Sequence, residues 1–136
     1  MGGTYEEREA TRSLKRRLYD EHKQLAEKGK ILLGLENVIG MRRIYIIFEH
    51  IQKLQGREWQ EILDDVFMLS AVYGEIYREI TNGHWEYSEE GAGQCVVVAP
   101  KCVNLMPLYA IKWTWVHNDV QMLVNNIKYA EICQKY

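Results

Sequence analysis

The sequence predicts a mainly α-helical fold, a compact bundle of four to five helices with one small β-hairpin, formed by residues 1–136 as a single globular domain. Apolar side chains recur at three- and four-residue steps over four long stretches. The two prolines, Pro100 and Pro107, lie close together and leave these stretches uninterrupted. Between the third and fourth stretches, apolar and polar residues alternate on either side of a glycine-rich turn, as in a hairpin. A length of 136 residues with 47% hydrophobic content suffices for one core.

The first predicted helix covers about residues 5–28 and is followed by Gly29, a residue type that is common at helix C-terminal caps. A narrow apolar stripe at helical spacing predicts that one side of this helix lies on the core. The stripe consists of Ala10, Leu14, Leu18 and Leu25. Residues 30–35 form a short apolar run interrupted by Gly34, which fits either a strand or a helical turn.

Two strongly periodic stretches predict the second and third helices. The second begins at Asn37, a good N-cap residue, and ends at Gly56. Its apolar stripe consists of Met41, Ile44, Tyr45, Phe48 and Ile51. The third covers about residues 57–81 and ends at the dipeptide 82–83, Asn-Gly. Because its middle is apolar on more than one side, we expect it to be the central helix.

The last third of the chain predicts the hairpin, over residues 85–99, and a final helix over about residues 108–134. An isolated hairpin is only marginally stable, so it must pack on the helices. A heptad-like seam in the final helix predicts packing on the core, with a coiled coil to a second chain as the alternative. The seam consists of Tyr109, Trp113, Val116, Val120, Leu123, Ile127 and Ala130. Asn118 and Asp119 are a candidate break or kink.

The molecule as a whole is not a polycation, because 17 basic and 19 acidic residues give a formal net charge of -2. An anionic partner would have to meet a local basic patch, and the first helix offers the best candidate. Its basic residues are Arg8, Arg12, Lys15, Arg16, Arg17 and Lys23. One interpretation is a face that binds phosphates or lipid headgroups. The favoured interpretation is a solvated face with intrahelical ion pairs, because carboxylates are interleaved along the same helix.

Other reactive side chains form no recognisable catalytic motif, so we predict neither an enzyme nor a cofactor. Three cysteines without CxxC spacing indicate reduced thiols in the cytoplasm, with a Cys95–Cys102 disulfide as the alternative. His84, Cys95 and Cys102 have irregular spacing, so no metal site is predicted. Acidic residues of the third helix predict a solvated face, with pairing to the basic first helix as a further option. They are Glu58, Glu61, Asp64 and Asp65.

The layout resembles the matrix domain that begins the Gag polyproteins of retroviruses, lentiviruses in particular. The chain opens Met1-Gly2-Gly3, its first helix is basic, its size matches, it ends at Tyr136, and residues 108–117 loosely resemble a late matrix helix. The resemblance implies myristate on Gly2, contact between the basic face and acidic phospholipid, and trimerisation of the globular part. Glu6 stands where the acylation signal usually has Ser or Thr.

These observations predict a non-enzymatic structural or interaction domain. Its sharpest form is a matrix-like module that binds the inner face of a membrane through Gly2 and the basic first helix, and assembles there. The alternative is a small phage- or plasmid-type regulatory protein that binds a partner protein or DNA through exposed Trp113 and Trp115 and dimerises through the last helix. Predicted partners are therefore an acidic membrane, a protein or a second copy, with nucleic acid less favoured. An enzyme using the acidic face or His84 is the third, least favoured class.

Overall fold

The computed structural model describes residues 5–90 and 93–136, leaving out the side chains of residues 5, 7–9 and 11. This part of the chain forms five helices and one antiparallel hairpin, so the predicted fold class is confirmed. The helices are α1 (Tyr5–Leu32), α2 (Arg42–Lys53), α3 (Trp59–Thr81), α4 (Pro107–His117) and α5 (Gln121–Gln134). The strands are β1 (His84–Ser88) and β2 (Gln94–Val98).

The first helix runs past Gly29, so the predicted cap at that residue is wrong. Gly29 is buried against α3, where an added Cβ would lie 2.8 Å from Met68 Cγ and still nearer to Val72. The cap is Gly34 instead, at a φ of +68° that glycine adopts without strain. The N–H groups of Gly34 and Leu35 donate to carbonyls of the last helical turn, in the Schellman arrangement. The ambiguous run 30–35 is therefore the end of α1.

The third helix is the centre of the molecule, as predicted. It begins with a reciprocal capping box between Glu58 and Glu61 and ends at Asn82, whose φ is +56°. Its middle is buried on several sides, and the Tyr73 hydroxyl donates to the Leu123 carbonyl at 2.8 Å. Burial and this bond fix α5 against α3.

The second helix begins at Arg42, five residues after the predicted start at Asn37. The chain before it makes turns, including one at Gly40 with a φ of +69°. Its core side consists of Ile44, Ile47 and Ile51. Tyr45 was expected on that side but is 47% exposed.

The hairpin forms where the alternating pattern predicts it. The strands pair antiparallel with Trp85 opposite Val97 and Tyr87 opposite Cys95. Trp85 is buried against Gly74 of α3, so the hairpin packs on the helices as its size requires.

The final predicted helix is two helices, because Asn118 adopts a left-handed φ of +49° and the chain changes direction there. The break changes which sides face the core. In α5 the predicted seam is buried, but in α4 the buried residues are Pro107, Ala110, Ile111 and Thr114. The first half of the predicted seam is therefore wrong: Tyr109 and Val116 are 56% and 58% exposed.

Buried side chains from all seven elements join one core. Among residues 5–90 and 93–136, no helix combines the length and apolar character that crossing a bilayer requires.

Candidate functional site

Part of the predicted basic face binds the hairpin. Arg16 donates from Nε to Asp20 at 3.2 Å and from Nη1 to Glu89 at 3.0 Å. The hydrogen bond to Asp20, followed by the charges of both carboxylates, raises the pKa of Arg16. Arg12 Nε lies 3.9 Å from the other oxygen of Glu89, and Arg16 lies 5.2 Å from the ring centroid of Tyr87. These contacts connect α1 to the hairpin.

Arg17 connects α1 to α3. Its Nη2 donates to Asp64 at 3.3 Å and its Nε to Glu21 at 3.3 Å. The guanidinium carbon also lies 4.7 Å from the ring centroid of Phe67. For Arg17 and Asp64, the predicted pairing between the acidic and basic faces is confirmed.

The other predicted anion-binding residues with described side chains, Lys15 and Lys23, do not extend a continuous basic surface. Gly2 and the Arg8 side chain lie outside the described residues. Lys15 donates to the Gly93 carbonyl at 3.0 Å, and exposed Lys23 lines a depression beside Trp85. The structure thus brings Arg12, Arg16 and Arg17 together, but it places carboxylates among them. This arrangement is the one expected for a solvated helix face with ion pairs.

The acidic residues of α3 have structural roles. Glu58 and Glu61 form the capping box, and Asp64 binds Arg17. Asp65 interacts with His50 Nε2 at 3.1 Å. Within the described part of the chain, no three His, Cys, Asp or Glu side chains are grouped to hold a metal ion.

His84, Cys95 and Cys102 are not brought together. His84 is exposed and hydrogen-bonds to Glu86 on its own strand. Cys95 is a buried residue of β2, and burial raises its pKa to about 12, which keeps the thiol protonated. Cys102 lies 3.4 Å from the Tyr77 hydroxyl, on the loop that follows β2.

A concavity of about 360 Å³ lies between α1, β2, the start of α3 and the first turns of α4. We call it the α4 groove. Its walls are mainly apolar: Leu14, Trp59, Met106, Leu108 and Tyr109. Lys15 and Lys112 add two ammonium groups to the lining. An apolar concavity with a few polar groups is the usual form of a binding site.

Local sequence explains how α4 comes to border the groove. Pro107 occupies the first turn of the helix, where its missing N–H costs no hydrogen bond. Met106, before it, is extended, with a φ of −104° and a ψ of 95°. The helix therefore starts at the groove, and Tyr109 and Lys112, three residues apart, lie on neighbouring positions of its surface.

Trp59 is held between two groups of α4. Its ring centroid lies 5.6 Å from that of Trp115, and Lys112 Nζ lies 4.7 Å from it. Trp115 is itself fixed, because its indole N–H donates to the Leu54 carbonyl at 2.9 Å. The apolar floor of the groove is thus preorganised.

The two lysines of the groove differ from the arginines of α1. Among the described residues, neither ammonium lies within 4 Å of a carboxylate. Partial burial lowers the pKa of Lys15, although the nearby Cys95 acts in the opposite direction. A carboxylate entering the groove would meet both cations.

The predicted exposure of Trp113 and Trp115 on α4 is wrong, because both side chains are half-buried. The ring centroids of Trp113 and His117 lie 4.2 Å apart. The exposed side of the helix carries Tyr109 and Val116. The groove itself was missed, and the only local signal for it was the helix start at Pro107.

Comparisons with protein-family models, with curated proteins and with solved structures gave no match to this chain.

Proposed function

We propose that this chain is a non-enzymatic interaction domain that binds an amphipathic helical segment of a partner protein in the α4 groove. The observation that carries the proposal is the combination of apolar walls with two ammonium groups that no described carboxylate neutralises. The partner segment should therefore present apolar residues at helical spacing and an Asp or Glu beside them.

The exposed side of α4 supports a helical partner. Val116 follows Tyr109 by seven residues, or two turns, so both lie on one side of the helix about 10 Å apart. Both are more than half exposed, and Met106, at the groove, is 44% exposed. A partner helix that fills the groove would also cover this apolar side.

This proposal sharpens the predicted alternative of partner binding through an aromatic helix face. The matrix-like membrane module, acylation of Gly2, the cytoplasmic location and the absence of enzymatic activity stay predictions. The pairing of Arg16 and Arg17 with carboxylates favours the protein partner over the membrane, because those charges are already compensated.

A pair of designed peptides tests the proposal. The probe is a helical peptide of about 16 residues with leucines at helical spacing and glutamates beside them, and its match carries lysines in place of the glutamates. In amide NMR spectra of the labelled chain, the Glu peptide should shift Trp59, Tyr109 and Lys112. We expect the Lys peptide to bind about fivefold more weakly, which corresponds to about 1 kcal/mol.

Charge reversal supplies the control. Lys112→Glu should weaken binding of the Glu peptide and strengthen binding of the Lys peptide. A loss of folding could not produce these opposite changes. Tyr109→Ala should weaken the binding of both peptides, whereas Tyr45→Ala on α2 should leave the binding of both unchanged. Equal binding of the two peptides, or no shift at the groove at millimolar concentration, would show that the proposal is wrong. If dilution of the chain without any peptide shifts the same residues, the groove binds a second copy of the chain. That result would also show that the proposal is wrong.

A further inference from the structure

A half-buried lysine lies in the wall of the α4 groove. Lys15, on α1, lines the groove together with Trp59 and Tyr109. Its Nζ donates to the Gly93 carbonyl at 3.0 Å, and this acceptor carries no charge. Among the described residues, no carboxylate lies within 4 Å of the Lys15 ammonium. The amine is therefore held against apolar walls without a counter-ion, whereas lysines that lose their contact with water are usually paired.

These surroundings favour the form of Lys15 that has lost its proton. Burial lowers the pKa of Lys15 below its ordinary value of 10.5, although Cys95 acts in the opposite direction. At any pH below that value, a lowered pKa leaves a larger share of the amine without its proton. Only this form is a nucleophile, and lysines that form Schiff bases with carbonyl compounds commonly owe their reactivity to such desolvation.

We propose that Lys15 is a covalent binding site at which an aromatic aldehyde with a negative charge forms an imine. The lone pair of the neutral Nζ attacks the carbonyl carbon, and one hydrogen of the amine moves to the carbonyl oxygen, which gives a carbinolamine. The second hydrogen then leaves with that hydroxyl group as water, and a carbon–nitrogen double bond remains. The step needs no oxidant or reductant. A protonated imine keeps one N–H, which can still donate to the Gly93 carbonyl.

The rest of the groove indicates the class of aldehyde. Trp59 and Tyr109 supply aromatic walls against which a ring can pack. Lys112 Nζ lies 4.7 Å from the Trp59 ring centroid, and no described carboxylate lies within 4 Å of it. Lys112 therefore remains as a cation for an anionic group after Lys15 has reacted. A volume of about 360 Å³ is small among ligand pockets and suits a single ring. The inference needs the groove but no partner protein, so it does not depend on the helical segment.

The test is labelling of the full chain with para-formylbenzoate, with uncharged para-formylbenzamide as its match, while cyanoborohydride reduces the imine. Cleavage after glutamate gives the peptides 10–21 and 22–27, whose only lysines are Lys15 and Lys23. Lys23 is exposed and lies about two turns further along α1. We expect para-formylbenzoate to label Lys15 about tenfold faster than Lys23, because the groove holds the carbonyl beside the amine. In urea the two rates should become equal.

Three variants complete the test, and circular dichroism checks the fold of each. Lys15→Arg keeps the cation but not the nucleophile, so the peptide 10–21 should carry no label. Lys112→Gln should still be labelled at Lys15, but it should lose a preference of about fivefold for para-formylbenzoate over para-formylbenzamide. Lys23→Arg should leave the labelling of Lys15 unchanged. Each rate is divided by that of the same aldehyde with free acetyl-lysine. Equal labelling of Lys15 and Lys23 in the folded chain, or equal rates with the two aldehydes, would overturn the inference.

Discussion

The two sides of this molecule use their charged and aromatic residues differently. On the side of α1 and the hairpin, guanidinium groups contact carboxylates from other elements, as Arg16 contacts Glu89 at 3.0 Å and Arg17 contacts Asp64 at 3.3 Å. On the α4 side, Lys15 and Lys112 border apolar walls, and Tyr109 is more than half exposed. The side with more charged residues is therefore the side on which those charges pair with one another and stabilise the fold.

The difference shows that a row of basic residues is not in itself an anion-binding face. Arg16 and Arg17 interact both with a carboxylate one turn later and with one from another element, which leaves little net charge for a ligand. An ammonium without a carboxylate, beside an uncovered apolar surface, is the better indicator of a binding site.

The largest expected effect separates the two sides of α4. Ile111→Ala should lower the free energy of unfolding by about 3 kcal/mol, because Ile111 is fully buried and the truncation leaves a cavity. Val116→Ala, on the exposed side, should change it by less than about 0.5 kcal/mol. Urea denaturation measures both. If Val116→Ala cost more than Ile111→Ala, the core side of α4 would be the heptad-like seam predicted from the sequence and not the side buried in the structure.

The next effect concerns the junction where the hairpin and α4 meet α3. In Gly74→Ala, the new Cβ would lie 2.6 Å from Trp85 Cζ2 and 2.8 Å from Pro107 Cγ, so a rigid ring must move. We expect a loss of about 2 kcal/mol in urea denaturation. Gly56→Ala is the control: it meets open space and carries only the strain of a left-handed φ, about 1 kcal/mol. Equal losses would contradict the close packing at Gly74.

A smaller effect on the hairpin side depends on pH. Burial disfavours the Glu75 carboxylate, but hydrogen bonds from Arg78 and Trp85 and the charges of Arg78 and Lys30 outweigh it, so the pKa of Glu75 lies below its ordinary value of 4.5. A lowered folded-state pKa contributes stability above pH 4.5 that is lost as the pH falls through the folded value. Glu75→Gln should therefore cost roughly 1 kcal/mol at pH 7 and progressively less in acid. Thermal melts from pH 7 to pH 3 measure it, and a constant difference would refute the linkage.

The smallest effect on stability tests the compensation of the arginines. Glu89→Gln removes the hairpin carboxylate that faces Arg12 and Arg16, at a cost below about 0.5 kcal/mol because the pairs are largely exposed. Co-sedimentation with phosphatidylserine vesicles should then rise about fivefold at low salt, which corresponds to about 1 kcal/mol from the loss of one negative charge beside the arginines. Glu90→Gln, beside it, is the matched control. Strong binding by the wild type and no rise in the variant would favour the matrix-like prediction.

Much of the fold was predictable because its signals are local. The alternation of Trp85 and Tyr87 with polar residues predicts β1, and Asn82 marks the end of α3. The errors arise where a residue's role depends on distant partners. Gly29 has the residue type of a cap, but it lies inside α1, where the missing Cβ leaves space for Val72 from a distant part of the chain.

The candidate site was less predictable than the fold. Interleaved acids along the first helix correctly favoured ion pairing of its arginines, but the partner Glu89 comes from a separate element. The groove combines Leu14, Trp59 and Tyr109 from three helices, and no spacing in the sequence relates them. Only three-dimensional packing brings these residues to one surface.

The buried glycines have a consequence for recognising distant relatives. Gly29 and Gly74 each lie where a methyl group would collide with a neighbouring element. Substitutions at surface positions, in contrast, usually change stability little. A distant relative whose overall sequence similarity is lost should still share a short pattern of residues. The pattern is two glycines inside helices about 45 positions apart, then a strand with a tryptophan, and then a proline at the start of a helix. We expect that pattern to outlast the charges on the surface.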